Sequence, residues 1–137
     1  MTRINPYISF KDNASEAMEF YKTVFNGKLT LTTFKEGGAP SDPSQDSKIM
    51  HAVLEISNEM LFMAADTPSG MEYVPGKNIS MSLGGENEDE LRGYWEKLAV
   101  GAVIEQPLAQ APWGDTFGML TDKFGIHWLV NISGKKA

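Results

Sequence analysis

Histidine is the side chain best suited to move a proton near neutral pH, and this chain has two of them. His51 lies midway along an alternating stretch, with Glu55 four residues on and therefore on the same side of a strand. His127 lies in the last apolar stretch. Together with Glu55 the two would make a metal site only if their strands met, because such a site needs three or more converging ligands. Taken singly, each reads as a hydrogen-bonded strand histidine, and His51 is the candidate general base. Four aromatic residues, Tyr7, Phe62, Trp113 and Phe117, could line a pocket for a flat or apolar ligand. Aromatic side chains also simply fill cores, and Trp95 and Trp128 are assigned to that role. Eight methionines are spread along the chain, which suits core packing and an adaptable lining.

Those side chains must be held by regular elements. Residues 4–10 alternate, with Ile4, Pro6, Ile8 and Phe10 as one set and Asn5, Tyr7 and Ser9 as the other. Period 2 predicts a half-buried strand. Pro6 lacks an N–H, which places this strand at a sheet edge or near its own start. Asn13 with Glu16 predicts a capping pair, and Ala17, Phe20, Tyr21, Val24 and Phe25 then share one helical face. Asn26-Gly27 stops the helix, with glycine expected in the left-handed conformation. Strands are predicted over residues 28–34, 48–56 and 60–65. Residues 36–47, containing GGAPSDPSQDS, form a polar loop that is either a connection or a lid. The stretch DTPSGMEYVPGK, with two prolines and two glycines, separates the halves.

The second half restates the first. Residues 78–83 alternate, and residues 87–99 form a helix ending before Gly101. At one fixed offset Ala17 meets Leu91, Phe20 meets Tyr94, Tyr21 meets Trp95 and Val24 meets Leu98. Strands follow near 102–105, 117–121 and 126–132, separated by a Pro/Gly-rich loop over 106–114 and the turn Asp122-Lys123-Phe124-Gly125. Agreement of strand, cap, helix and glycine in the same order indicates a duplicated unit. The expected fold is α+β: a first βαβββ module over residues 1–66, a linker over 67–77 and a second module over 78–134, making one compact domain. A helix covers one face of each curved sheet and leaves the other uncovered, so two modules would enclose a cleft. Alternation puts Ile4, Ile8, Phe10, Ile79, Met81 and Leu83 on the helix side. It puts Asn5, Tyr7, Asn78 and Ser80 on the cleft side, with His51 and Val53 from an inner strand.

Bulk properties exclude several function classes. The chain has 137 residues and a formal charge of −6, with no cluster of Lys and Arg to match phosphate, so nucleic acid is not an expected partner. The lack of cysteine excludes a disulfide scaffold, thiolate zinc and a cysteine nucleophile, and it fits a cytoplasmic location. No apolar run approaches a membrane span of about 20 residues, and the N-terminus lacks a signal-peptide apolar region.

In this setting the chain resembles the vicinal oxygen chelate superfamily of glyoxalase I, extradiol dioxygenases and bleomycin-resistance proteins, and most closely its PhnB-like branch. The likeness is carried by Ala17-Met18-Glu19-Phe20-Tyr21 with Phe25-Asn26-Gly27, Ile49-Met50-His51-Ala52, Asn78-Ile79-Ser80-Met81-Ser82-Leu83, Trp113-Gly114 with Phe117-Gly118-Met119, and Thr121-Asp122-Lys123-Phe124-Gly125 running into Trp128-Leu129-Val130-Asn131. It implies paired modules, a homodimer and a small-molecule cleft. Superfamily enzymes hold a divalent ion with His and Glu from four strands. The matching positions fall near Asn5, Phe62 or Met63, Asn78 and Leu129, and none is His, Asp or Glu. The expectation is therefore no metal at that place and no cofactor.

The cleft residues expected to bind ligand are Asn5, Tyr7, His51, Phe62, Asn78, Ser80, Trp113, Phe117 and Leu129. The expected function is metal-free binding of a small apolar or aromatic molecule. The alternative is a superfamily enzyme of lyase, dioxygenase or isomerase type, using a divalent metal or His51 as acid/base. Relatives of the branch resemble sequences described as demethylubiquinone methyltransferases. Against that activity, the chain lacks the glycine-rich strand-to-helix turn that usually holds a methyl-donor nucleotide, Gly84-Gly85 being only a two-glycine match.

Overall fold

The computed structural model describes residues 2–38 and 42–134, which fall into two compact units that meet in sequence between Pro75 and Gly76. In the first unit β1 (Tyr7–Phe10), α1 (Ala14–Phe25), β2 (Lys28–Thr33), β3 (Ile49–Ser57) and β4 (Met60–Asp66) follow in order. In the second, β5 (Met81–Gly85), α2 (Glu88–Leu98), β6 (Val103–Gln110), β7 (Thr116–Thr121) and β8 (His127–Ile132) repeat that order. The sheets run β1-β4-β3-β2 and β5-β8-β7-β6. β1 pairs parallel with β4 and β5 with β8, and the remaining pairings are antiparallel. Each unit is thus βαβββ with one mixed sheet, the duplicated α+β architecture that the repeat predicts. Residues 67–80 connect β4 to β5 without helix or strand.

Each unit builds its core between the helix and one sheet face. α1 buries Ala14, Ala17, Met18, Tyr21, Val24 and Phe25 against β2, β3 and β4, where Ala52, Leu54, Phe62 and Ala64 are buried. α2 buries Leu91 and Leu98 over Leu83, Leu120, Trp128, Val130 and Ile132. Trp95 of α2 lies over Gly118, where an added Cβ would come within 2.8 Å of its ring and 3.0 Å of the Leu108 backbone. The second unit therefore needs a bare backbone at that point of β7.

Several local expectations are corrected. Ile4 and Ile79 are 99% and 78% exposed rather than facing a helix. β1 starts only at Tyr7, because Pro6 has no N–H to continue the ladder, although its carbonyl accepts from Met63 N at 2.9 Å. β6 runs on through Pro107 instead of ending near Glu105; as an edge strand it tolerates the missing N–H, and its register shifts twice. Ile49 joins the buried face, because a bulge against β2 pairs Thr32 with His51 and Thr33 with Ile49, which resets the alternation.

The helix ends also differ. Asn13 makes no side-chain cap; the first N–H of α1, on Ala14, is taken at 2.9 Å by Asp66 from the far end of β4. The side-chain cap forms in α2 instead, where Asn87 accepts from Glu90 N at 3.1 Å and its amide donates to the Glu90 carboxylate at 3.3 Å. At the end of α1 it is Asn26, with φ of 53°, that takes the left-handed conformation. Gly27 serves close approach, since a Cβ there would lie 2.8 Å from the Glu55 carbonyl oxygen. Of the loop over residues 36–47, positions 39–41 lie outside the described residues. Asp42 opens a single 3-10 turn, Pro43–Gln45, by accepting from Ser44 N at 3.0 Å.

Candidate functional site

Strand alternation fixes what each helix-free sheet face presents. In the first unit Tyr7 pairs with Met63, Met63 with Val53, and Val53 with Thr30, so these four form one rank across the sheet. His51 and Thr32 lie in the adjacent rank. Tyr7 reaches across to His51: the rings are 5.8 Å apart at 31°, and the phenolic oxygen is 3.5 Å from His51 Nδ1. Phe62 departs from its expected place. It is 3% exposed and packs edge-on against Tyr21 at 5.5 Å and Phe25 at 6.3 Å under α1. Of the two registers the sequence left open, β4 presents Met63 to the helix-free face.

In the second unit the same face carries Phe117, Met119 and Thr121 from β7, and His127, Leu129 and Asn131 from β8. Their cross-strand partners are Phe117 with Asn131, Met119 with Leu129, and Thr121 with His127. The intervening Gly118, Leu120, Trp128 and Val130 are buried on the helix side. Trp113, 65% exposed, stands in the β6–β7 turn and meets Phe117 edge-on at 6.1 Å. Asn131 donates to Asp115 at 3.1 Å, and Gly134 N donates to the same carboxylate at 2.8 Å. The Gly134 bond first, and that from Asn131 next, hold the Asp115 carboxyl below its ordinary value.

One polar cluster borders this apolar row. At the β6 register shift between Ile104 and Gln106, Glu105 is the extra residue, and such a bulge re-aims its side chain. The Thr121 hydroxyl donates to Glu105. His127 Nδ1 lies 2.7 Å from Thr121 Oγ1 and 3.5 Å from Glu105 Oε1. The Thr121 bond is the main cause of a lowered Glu105 pKa, with His127 adding a smaller effect. By sequence alone His127 reads as a metal candidate or a hydrogen-bonded strand residue. Period 2 through β7 and β8 already put it beside Thr121, but the bulge that delivers Glu105 has no sequence signature.

The remaining expected residues are more peripheral. Asn5 precedes β1 and lines a shallow pocket of about 300 Å³ with Arg3, Ile4, Asn58, Glu59 and Leu61. Asn78 and Ser80 are exposed and precede β5. The structure thus joins Tyr7 to His51, Trp113 to Phe117, and Leu129 to Met119. Of the four positions at which the family resemblance would put metal ligands, Asn5 and Asn78 offer amides, Met63 a thioether and Leu129 an aliphatic chain. That donor set does not fit a divalent ion, which wants carboxylate or imidazole. Among the described residues no group of three or more His, Asp or Glu is placed to hold a metal ion. No helix among them is long and apolar enough to cross a membrane.

The comparisons with known proteins agree with this architecture. Residues 2–131 match the family described as 3-demethylubiquinone-9 3-methyltransferase. The crystal structure of protein PA1353 from Pseudomonas aeruginosa is similar with a TM-score of 0.86 and 32% identity, over 98% of this chain and 100% of that one. A Bacillus cereus structure described as a putative 3-demethylubiquinone-9 3-methyltransferase, PhnB protein, is similar with a TM-score of 0.77 and 26% identity, over 96% and 100% of the two chains. A glyoxylase/bleomycin resistance protein/dioxygenase domain from Frankia shares the fold alone, with a TM-score of 0.67 and 14% identity over 100% of this chain and 95% of that one.

Proposed function

We infer the function from one premise: the chain belongs to the family described as 3-demethylubiquinone-9 3-methyltransferase, in the PhnB-like branch of the glyoxalase/bleomycin-resistance superfamily. It binds a small, mostly apolar or aromatic molecule against a helix-free sheet face, without a divalent ion at the superfamily's metal positions. One observation carries this reading. Where relatives would place metal ligands, the helix-free faces carry Met63 beside Tyr7 and Val53, and Leu129 beside Met119. Thioether and aliphatic chains favour an apolar occupant that is driven by burial. In this reading the protein works as a homodimer in a reducing cytosol, an expectation taken from the family. Analytical ultracentrifugation at micromolar concentration would contradict the dimer by finding the mass of one chain.

Thermal denaturation across a panel of flat hydrophobic compounds tests the binding. A ligand at a hundredfold its Kd should stabilise the protein by about 2.7 kcal/mol. Leu129→Asp should weaken that ligand at least tenfold, because a carboxylate would lose solvation against an apolar molecule. A panel without any stabilising compound would sink the reading.

A second reading is enzymatic, with His51 as general base, and is favoured by the Tyr7 hydroxyl 3.5 Å from its Nδ1. For any activity found, His51→Ala should abolish turnover while leaving ligand affinity within severalfold; full turnover would remove the base role. Methyl transfer, the activity in the family's description, is the reading with least support here. Each sheet has a single parallel pair rather than a doubly wound parallel core.

A further inference from the structure

We propose that Glu105, Thr121 and His127 form a relay that fixes the tautomer of His127, and that His127 Nε2 then accepts a hydrogen bond from an acidic hydroxyl, phenolic or enolic, on the bound molecule. This rests on the reading of the second unit's helix-free face as an apolar binding surface and names the chemistry that the face selects.

A count of protons fixes the tautomer. A threonine hydroxyl has one proton, and Thr121 gives it to the Glu105 carboxylate. Thr121 Oγ1 can therefore only accept from its other neighbour, His127 Nδ1, 2.7 Å away. Neutral imidazole carries one proton, so placing it on Nδ1 leaves Nε2 as a bare acceptor. Glu105 Oε1, 3.5 Å from Nδ1, favours the same placement electrostatically. Nε2 has no partner among the described residues, and the His127 side chain is 25% exposed. Beside it on the same face lie Leu129 and Met119, which suit an aromatic body but offer nothing to satisfy a buried hydroxyl. A ligand whose hydroxyl reached Nε2 would bury its ring on the apolar row and keep its proton paired. An ether of the same shape would leave Nε2 unpaired. Glu105 and Thr121 act through His127 and are positioning residues.

Two measurements test this. Calorimetric titration compares 2-naphthol with 2-methoxynaphthalene, which matches its ring but has no hydroxyl proton. Wild type should prefer naphthol at least tenfold. His127→Phe and Glu105→Ala should reduce that preference below threefold, weakening naphthol while the ether binds at least as well as to wild type, since it no longer leaves a bare acceptor unpaired. Nitrogen-15 NMR of the histidine rings reads the tautomer directly. His127 should carry its neutral-state proton on Nδ1 in wild type and on Nε2 in Glu105→Ala, where the Thr121 proton is released to Nδ1. Glu105 is exposed, so its removal leaves the fold intact. Equal affinity for the two probes would overturn the proposal and leave apolar binding standing. Binding of neither probe would overturn both. A wild-type proton on Nε2 would overturn the relay whatever the affinities.

Discussion

Asp122→Ala is expected to destabilise the protein by about 4 kcal/mol, the largest effect foreseen for any single replacement in the second unit. Asp122 is 4% exposed and closes the β7–β8 hairpin by accepting from Phe124 N at 2.8 Å and Ile126 N at 3.1 Å. Its second oxygen accepts from the indole N–H of Trp128 at 2.8 Å, and Trp128 is itself 1% exposed. A hydrogen bond to a charged group contributes about 1.5–3 kcal/mol, and a buried donor left without a partner costs about 1–3 kcal/mol. The sum over three partly coupled bonds is kept near 4 kcal/mol because water can reach the turn. Against a typical total of about 5–15 kcal/mol, urea denaturation should show it plainly. Asp122→Asn keeps an acceptor oxygen for the turn but can turn its amide N–H₂ towards the indole, so an intermediate loss is expected. An alanine variant within about 1 kcal/mol of wild type would show that this carboxylate is not what holds the hairpin and Trp128 together.

Asp66→Ala comes second, with an expected loss of about 3 kcal/mol. Asp66 is 3% exposed at the end of β4 and accepts from Ala14 N at 2.9 Å and Ile49 N at 2.8 Å. One carboxylate thus ties the start of α1 and the start of β3 to the last residue of β4. It also places negative charge at the positive end of the helix dipole. Asn13→Ala should cost little by comparison, since that side chain makes no cap. Asn87→Ala should cost about 1 kcal/mol, the usual worth of a lost cap. Equal losses for Asn13→Ala and Asp66→Ala in thermal denaturation would contradict the assignment of the cap to Asp66.

These carboxylates show where reading the sequence stopped. The strand, helix and repeat pattern is local, so periodicity placed both helices and the eight strands, though not the starts of β1 and β5, the length of β6 or the 3-10 turn, and Ala17 with Tyr21 and Leu91 with Leu98 entered the core as their spacing required. Long-range satisfaction is not local. Asn13 has the right type and position for a cap, yet Asp66 does the work from the other end of the unit, because tertiary packing brings a better acceptor to Ala14 N. Strand ends failed for a related reason: Pro6 delayed β1, while Pro107 was tolerated because β6 lies at an edge. On the candidate site, the sequence puts Tyr7 and His51 on the helix-free side by alternation, Phe117 beside the cleft as a pocket aromatic, and Leu129 there by family resemblance. It misplaced Phe62 by one residue of register, which in a strand reverses the face. It missed Glu105 because a bulge, not a period, turns that carboxylate towards Thr121.

In the proposed function a helix-free face binds an apolar molecule with no help from a divalent ion. The most direct measurement is calorimetric titration of 2-methoxynaphthalene into protein treated with excess EDTA and dialysed, with elemental analysis of the freshly purified protein alongside. Saturable binding of the same affinity is expected before and after EDTA, at least tenfold weaker in Leu129→Asp. Binding that vanishes with EDTA and returns with a divalent ion, or a stoichiometric divalent ion in the fresh protein, would contradict it.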